Sequence, residues 1–344
     1  MAKYNMKHLW FEKGANANKK ARYYVANEFT PSEIKKVAVI RHAALGDQVI
    51  TRPFLVELRK FLPNAEITLS TVSNYQYGMP DDLADNLHIT HGADRKKKIS
   101  LKEKISNMKE LGEQDIIFDL AATNRSYWLT ALTKAKLKVG FPYRSWVAKA
   151  LYDIAVFRSD FTAELEVMLD MLRVLGHNPS YPLDFACPSH FVEKDTKKKN
   201  IVYFNGASQE NKMYPIASMR QLIIDASEQL PDHQHIFLEG INKNEKRDQL
   251  GDISAYKNIF VQEVMQLNEL TAYLAKAHCV VSTDTGIRNL AIATHTPTIG
   301  IFYATVPFRY TPLYGKHKIV MNADATIPTP KQVLVSILSQ IETN

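Results

Sequence analysis

Apolar positions along the chain follow two alternating rhythms. Short β-branched runs have no polar interruption, which suits strands covered on both faces, and longer stretches place an apolar side chain every three or four residues, which suits the helices that cover them. Lys36–Arg41 (KVAVIR) opens the series and ends in the loop His42–Asp47. Gln48–Leu62 follows in helical spacing, with Val49, Ile50, Phe54, Leu55, Leu58, Phe61 and Leu62 on the apolar side, until Pro63-Asn64 stops it. Strands are predicted at Glu66–Thr71, Asp115–Ala122 and Lys136–Val139, and a helix at Ala163–Leu175 that closes at Gly176. Pro179–Lys199, with Pro182, Pro188 and four lysines, has the composition of a linker. The rhythm restarts at Ile201–Asn205 and runs through a helix at Ile216–Leu230, a strand at His235–Glu239, a helix around Asn244–Leu250, a strand at Asn258–Val261 and a helix at Leu267–Ala277. This alternation predicts an α/β protein of two doubly wound, Rossmann-like domains facing a central cleft: an extension at 1–35, an N-terminal domain at 36–178, a linker at 179–199 and a C-terminal domain at 200–344.

Composition agrees with that picture and narrows it. A chain of 344 residues, 45% of them hydrophobic, can bury two cores. No apolar run approaches the roughly 18 to 20 residues of a membrane helix, and MAKYNMKHLWFEKGANANKK lacks a signal peptide's apolar segment, so a cytoplasmic protein is expected. Two cysteines, Cys187 and Cys279, supply neither a disulfide framework nor a metal cluster. The formal charge of +7 is concentrated in residues 1–36, which hold eight Lys or Arg against three Asp or Glu. This basic leader also carries Trp10, Phe11, Tyr23 and Tyr24, so it suits either an anionic membrane face or acidic glycolipid, or plain solvation. No interleaving of basic and aromatic residues on a sheet argues for nucleic acid.

Three loops compete for the chemistry. His278–Pro307 (HCVVSTDTGIRNLAIATHTPTIGIFYATVP) reads as strand, polar loop, short helix and strand. A helix beginning near Thr285 directs unpaired N–H groups and its positive dipole end at a ligand, for which phosphate is the natural guest; the alternative is that Asp284 and Thr285 only cap the helix. In Ala43–Asp47, Gly46 allows close backbone approach, and the carboxylate of Asp47 is a candidate general base or an N-terminal helix cap. In Asn205–Pro215 (NGASQENKMYP), Ser208 and Lys212 offer a hydroxyl and a cation to a phosphate, with Lys212 either neutralising a leaving group or merely solvated.

Absent motifs remove several classes. There is no GxGxxG after a strand, no GxxxxGK[ST], no GxSxG, no HExxH and no Asp-x-Asp pair, which weakens dehydrogenase, P-loop, hydrolase and metal-diphosphate readings. His233 and His235 have the spacing of alternate residues at a strand entrance, for which core packing outweighs metal binding.

Taken together, the segments IRHAALGDQVITRPFLVELRKFLPNAEITL, GFPYR, AELEVMLDMLRVLG, NGASQENKMYP, LNELTAYLAKAHCVVSTDTGIRNLAIATHTPTIGIF and YGKH resemble the heptosyltransferase family, glycosyltransferases that add heptose to the inner core of bacterial lipopolysaccharide. The resemblance implies a GT-B fold, inversion at the sugar without a metal or other cofactor, and an ADP-heptose donor. It implies an anionic lipid A acceptor bearing Kdo, met peripherally at the inner face of the cytoplasmic membrane. Carried over by position, it makes Asp47 the base, on an acceptor-side loop with Arg41 and Gly46, and Lys212 the partner of the diphosphate, with Ser208 in the hydroxyl-bearing turn. Asp284, Thr285 and Gly286 become the phosphate loop, Glu245 an acidic contact to the nucleotide ribose and Met265 a contact beside the base. Cleft closure would then assemble the site and exclude water. The chain departs from the family pattern at Asn289, where a histidine is common, at Asn205-Gly206 in place of His-Pro-Gly, at Ala43-Ala44 in place of serines, and in its basic leader. The alternatives are a relative using another nucleotide sugar, or a non-catalytic sugar-nucleotide binder.

Overall fold

The computed structural model describes residues 14–92, 99–142, 150–187, 199–207 and 209–342. One compact unit spans residues 10–186 and the other is built from the chain after Ala186.

In the first unit the strands are β1 (Asn16–Ala17), β2 (Lys36–Ile40), β3 (Glu66–Val72), β4 (Asn86–Thr90), β5 (Gln114–Asp119), β6 (Ala135–Gly140) and β7 (Ile154–Ala155), and the helices are α1 (Lys19–Asn27), α2 (Leu45–Phe61), α3 (Leu101–Lys109), α4 (Asn124–Leu132) and α5 (Glu164–Arg173). The sheet runs β1-β7-β6-β5-β2-β3-β4 and is parallel except where β1 meets β7. The chain therefore builds outward from β2 to β4 and returns on the other side of β2, which puts a topological switch point between the carboxyl ends of β2 and β5. Val37, Ala38, Val39 and Ile40 are wholly buried, as an uninterrupted apolar run in a covered sheet requires. Ala38 and Ile40 pack with Ile117 and Leu129 on the face that α3 and α4 cover, while Phe118 meets Phe54 of α2 edge-on at 5.4 Å on the other.

The extension is part of this unit over its described length. Asn18 caps α1, accepting from Ala21 N at 2.7 Å, and ties it to the sheet through Asp153 at 2.9 Å. Phe29 then lies on Phe61 of α2 at 5.8 Å between ring centroids. Residues 1–13 of the basic leader, the Arg95–Lys98 run and most of the 179–199 linker lie outside the described residues. Arg52, buried inside α2, forks onto Asp82 at 2.7 and 2.6 Å and donates to the carbonyls of Phe185 and Ala186, fixing the chain where it leaves the unit.

The second unit repeats the architecture with β8 (Asn200–Phe204), β9 (Gln234–Leu238), β10 (Ile259–Gln262), β11 (Cys279–Ser282), β12 (Thr298–Ile301) and β13 (His317–Val320), covered by α6 (Ile216–Gln229), α7 (Leu267–Ala275), α8 (Gly286–Ala293) and α9 (Pro330–Glu342). All pairs are parallel in the order β10-β9-β8-β11-β12-β13, so the switch point falls between β8 and β11. The helix expected around Asn244–Leu250 is instead two single-turn 3-10 segments, Lys243–Glu245 and Arg247–Leu250. Only Glu245 and Leu250 are buried there, so no apolar stripe holds a longer helix in place.

His235 is a core residue in place of a metal ligand. Tyr203 donates to its Nδ1 at 2.9 Å, which leaves Nε2–H to donate to the Leu230 carbonyl at 3.2 Å, so the neutral ring is fully satisfied. Burial holds its pKa down to about 4, from an ordinary 6.5. The unfolded chain takes up this proton below pH 6.5 and the folded chain does not until about pH 4, so the stability it contributes is complete above 6.5 and lost as pH falls through that window. The loss reaches roughly 3 kcal/mol at the lower end. Melting temperature followed from pH 7 to pH 4 is expected to fall, and His235→Gln to flatten that slope; an unchanged slope in the variant removes His235 from the acid response.

Candidate functional site

At the switch point of the first unit, the loop after β2 turns into α2 at Ala44, which offers no side-chain cap. Asp47 lies in the first helical turn, where the dipole favours its charge, and its carboxylate makes no capping bond. It pairs with Arg41 at 3.0 Å, with the Asp47 side chain 36% exposed and that of Arg41 only 4%. Arg41 is held from behind by the Leu120 carbonyl at 2.7 Å and by Glu164 at 3.5 Å, and Glu164 in turn takes Arg158 at 2.7 Å. Two cations and two carboxylates thus alternate, and only the outermost, Asp47, meets solvent substantially. Gly46 is partly exposed beside it.

Across the same switch point, β5 ends in Asp119, which is fully buried. Its Oδ1 accepts from the Ala121 and Ala122 amides at 2.9 and 3.1 Å and its Oδ2 from Tyr152 at 2.6 Å. Burial raises its pKa against the lowering effect of these donors. His42, next to Arg41, is also buried, and neither ring nitrogen has a partner. Burial, helped by the charges of Arg125 and His88, pulls its pKa down to about 3.

In the second unit the loop after β8 is anchored at its far end. Asn205 donates to the Tyr214 carbonyl at 2.9 Å, and the buried Tyr214 donates its hydroxyl to Pro328 at 2.7 Å. Between these anchors Lys212 ends the single turn Glu210–Lys212 and reaches Asp284 of the loop after β11 at 3.9 Å. The parallel pairing of β8 with β11, Phe204 opposite Ser282, brings these two loops together. Ser208 lies outside the described residues.

Thr285 is the N-cap of α8, accepting from Arg288 N at 3.3 Å, so the capping alternative holds for its hydroxyl. Asn289 N bonds back to Thr285 O at 3.3 Å, which leaves the Gly286 and Ile287 amides at the helix start without a protein acceptor among the described residues. A cation and two free amides thus converge near the positive end of a helix, an arrangement suited to a phosphate. Asn289 is buried one turn on, with its Oδ1 unpaired. Glu245 is buried as well, but its carboxylate is occupied: it accepts from the Asn242 amide and side chain, each at 3.0 Å. It fits only because Gly206 and Gly240 lack side chains, since a Cβ at either would fall 2.5 or 2.0 Å from its oxygens. Beside it a cavity of about 590 Å³ is lined by Ala207, Glu210, Asn242, Lys243, Asn244 and Gln249. Met265 is partly buried in the loop between β10 and α7.

Sequence reasoning passed over Arg288, which is completely buried behind the phosphate-type loop. It donates to the Tyr310 carbonyl at 2.8 Å and Thr311 Oγ1 at 3.0 Å, and lies 5.1 Å from the Phe302 ring centroid. Burial lowers its pKa to about 10, against the raising effect of Asp284. The available signal was a lone charge inside an apolar helix, TGIRNLAIA. It missed Glu164 and Arg158 too: Glu164 pairs with both Arg41 and Arg158 and so joins distant segments.

Both units, each with a switch point carrying polar loops at the strand ends, have the architecture of known sugar-nucleotide enzymes. Escherichia coli heptosyltransferase WaaC, solved with ADP-2-deoxy-2-fluoro heptose, superposes with a TM-score of 0.69 at 20% identity, over 90% of this chain and 99% of WaaC, which shows the GT-B fold. Lipopolysaccharide heptosyltransferase 1 of Campylobacter coli is 26% identical over 302 residues, 80% of this chain and 85% of its own. The core heptosyltransferase OpsX of Haemophilus influenzae is 23% identical over 304 residues, 83% of this chain and 84% of its own. The profile of glycosyltransferase family 9 (heptosyltransferase) matches residues 105–340, and with most of the chain inside that match, the protein belongs to this family of glycosyltransferases.

Proposed function

We propose that the protein transfers heptose from ADP-heptose to the Kdo-bearing inner core of a lipopolysaccharide precursor, inverting the anomeric centre without a metal. The observation that carries this reading is the Lys212–Asp284 pairing beside the free amides of α8. Negative charge grows on the departing diphosphate, and a fixed ammonium with amides aimed from a helix start stabilises it without reorganisation. Positive charge grows at the anomeric carbon, and the acceptor oxygen must lose its proton. Asp47 takes that proton: its carboxylate is held on one side by Arg41 and otherwise meets solvent. Asp284 keeps the Lys212 ammonium in place, while Thr285 fixes the start of the helix whose Gly286 amide meets the phosphate. Glu245 and Met265 border the nucleotide, with Asn289 and Ser208 completing the donor side. The likeness to WaaC, whose structure contains an ADP-heptose analogue, supports the choice of donor. No helix among the described residues is long and apolar enough to cross a membrane. On this reading the acceptor is met peripherally, from the inner face of the cytoplasmic membrane, with the basic leader adding attraction to anionic lipid.

A panel of nucleotide sugars scored by thermal stabilisation tests the donor. A ligand that binds only the folded state adds RT ln(1 + [L]/Kd) to stability, so at a concentration 100 times its Kd it contributes about 2.7 kcal/mol. ADP-heptose is expected to give the largest rise in Tm. A larger rise with a UDP or GDP sugar overturns the donor assignment.

A further inference from the structure

Two arginine–carboxylate pairs share one row behind the first unit's switch point, and they are built differently. Arg158 engages both oxygens of Glu164, Nη2 with Oε1 at 2.7 Å and Nε with Oε2 at 3.4 Å, as a planar guanidinium commonly does. Arg41 reaches Asp47 with one nitrogen alone, Nη2 to Oδ1 at 3.0 Å. Its Nη1 is already committed, to the Leu120 carbonyl at 2.7 Å and toward Glu164 Oε1 at 3.5 Å, and its buried Nε has no partner among the described residues. Asp47 Oδ2 is thus left without a protein donor among the described residues, on a partly exposed side chain. Both groups that hold Arg41 from behind are themselves fixed. Leu120 donates its amide to the Ile40 carbonyl at 3.0 Å, and Asp119 grips the next two amides, which locks the Leu120 carbonyl just past β5. Glu164 is buried in the first turn of α5, where the helix dipole favours its charge, and Arg158 lies over the Phe141 ring at 4.6 Å.

We propose that Glu164 is a positioning residue for the general base: by holding the rear of Arg41 it limits the grip on Asp47 to Oδ1 and leaves Oδ2 to receive the acceptor proton. The inference rests on the base reading given above and adds the atom that takes the proton and the residue that keeps it open. In the transfer step the acceptor O–H bond breaks, its proton going to Asp47 Oδ2 and its electron pair to the anomeric carbon. The bond from that carbon to the diphosphate breaks with its pair on the departing oxygen. A guanidinium free to turn would fork onto both Asp47 oxygens and oppose protonation twice, by occupying Oδ2 and by its full charge. Glu164 acts against both, since it competes for Nη1 and offsets part of the Arg41 charge, while Arg158 takes up part of the Glu164 charge in turn. Glu164 works through Arg41 and meets neither sugar.

The test is the single-turnover rate against pH, measured on the full chain with ADP-heptose and a Kdo-bearing lipid A acceptor. Glu164→Gln keeps the shape and removes the charge, so Asp47 becomes a weaker base and the acid limb of the profile should move to lower pH. The rate on the plateau is expected to fall about three- to tenfold, as Brønsted behaviour gives for a base weakened by about one pH unit, with both KM values within about twofold. Arg158→Gln leaves more of the Glu164 charge to Arg41 and should move the acid limb the other way, to higher pH. Glu164→Asp, which keeps the charge on a shorter arm, should lie between wild type and Glu164→Gln. The neighbouring titratable and charged groups, His42 after Arg41, Asp119 at the end of β5, Arg125 in α4 and Asp160 before α5, are the same in every variant, so a shift reads the row. Acid limbs that coincide, or that move the same way in Glu164→Gln and Arg158→Gln, overturn the inference. In the Asp47→Asn background Glu164→Gln should cost no more than about twofold; a full further loss there would mean that Glu164 acts elsewhere, with Asp47 still the base. Wild-type turnover in Asp47→Asn itself would remove the base reading and this inference with it. Arg158 is the more exposed end of the row, so Arg158→Gln decides the matter should Glu164→Gln fail to fold, and an unmoved or lowered limb there is equally fatal.

Discussion

Asp47→Asn is expected to lower kcat roughly 10³-fold while donor affinity stays within about twofold. A positioned general base contributes on the order of 10² to 10⁴, and asparagine keeps the shape while removing the proton acceptor. The structural side of the change is small for identifiable reasons. The Asp47 carboxylate caps no helix amide, and an amide oxygen can still accept from Arg41 Nη2 at the place Oδ1 occupies, 3.0 Å away. Arg41 also keeps Glu164 as counter-charge at 3.5 Å. Since the Asp47 side chain is 36% exposed, the stability cost should be about 1 kcal/mol, nearer a surface pair than a buried one. Single-turnover measurement at saturating donor and acceptor isolates the chemical step. Product forming at the wild-type rate would take the base role away from Asp47.

Most of this architecture could be read from hydrophobic rhythm, and the failures have physical causes. β2, α2 and β8 stand out because a covered strand must be apolar throughout and its covering helix apolar on one side. β4, read as NLHIT, escaped because it is the last strand of its sheet, with Asn86 and Leu87 exposed and His88 buried on hydrogen bonds. α3 escaped because only Asn107 is buried along its length. The extension was read as separate from the N-terminal domain because its attachment, β1 against β7, joins segments far apart in sequence. Among the proposed site residues, the sequence displays Asp47, Lys212 and Asp284 as charges beside glycine or turn residues at strand ends. It does not display their pairings. Lys212 meets Asp284 because β8 and β11 are parallel neighbours, and Arg41 meets Glu164 at the start of α5, which packs against α2; neither pairing has a local sequence signature. Glu245 shows the converse, a local engagement that the sequence displays: Asn242 holds its carboxylate in a capping box written N-x-x-E.

Lys212→Ala is expected to reduce kcat/KM for ADP-heptose by roughly 10² to 10³, the range for removing one preorganised group that stabilises developing negative charge. Here the loss exceeds that of a missing contact. Asp284 Oδ2 lies 3.9 Å from Lys212 Nζ with its side chain 13% exposed, so without the ammonium a shielded carboxylate would face the diphosphate. Donor affinity and turnover should therefore fall together, unlike the kcat-only effect at Asp47. The same reasoning fixes the sign of a double-mutant cycle. Asp284→Asn alone loosens Lys212 and costs activity, yet in the Lys212→Ala background it removes a repulsion and should restore part of the lost donor affinity. Lys212→Arg should retain more activity than Lys212→Ala, because the charge survives, and less than wild type, because a planar fork does not reproduce a compact ammonium. Additive losses in the Lys212→Ala/Asp284→Asn pair would mean that the two side chains act on separate steps, and wild-type kcat/KM in Lys212→Ala would remove the cation from leaving-group stabilisation.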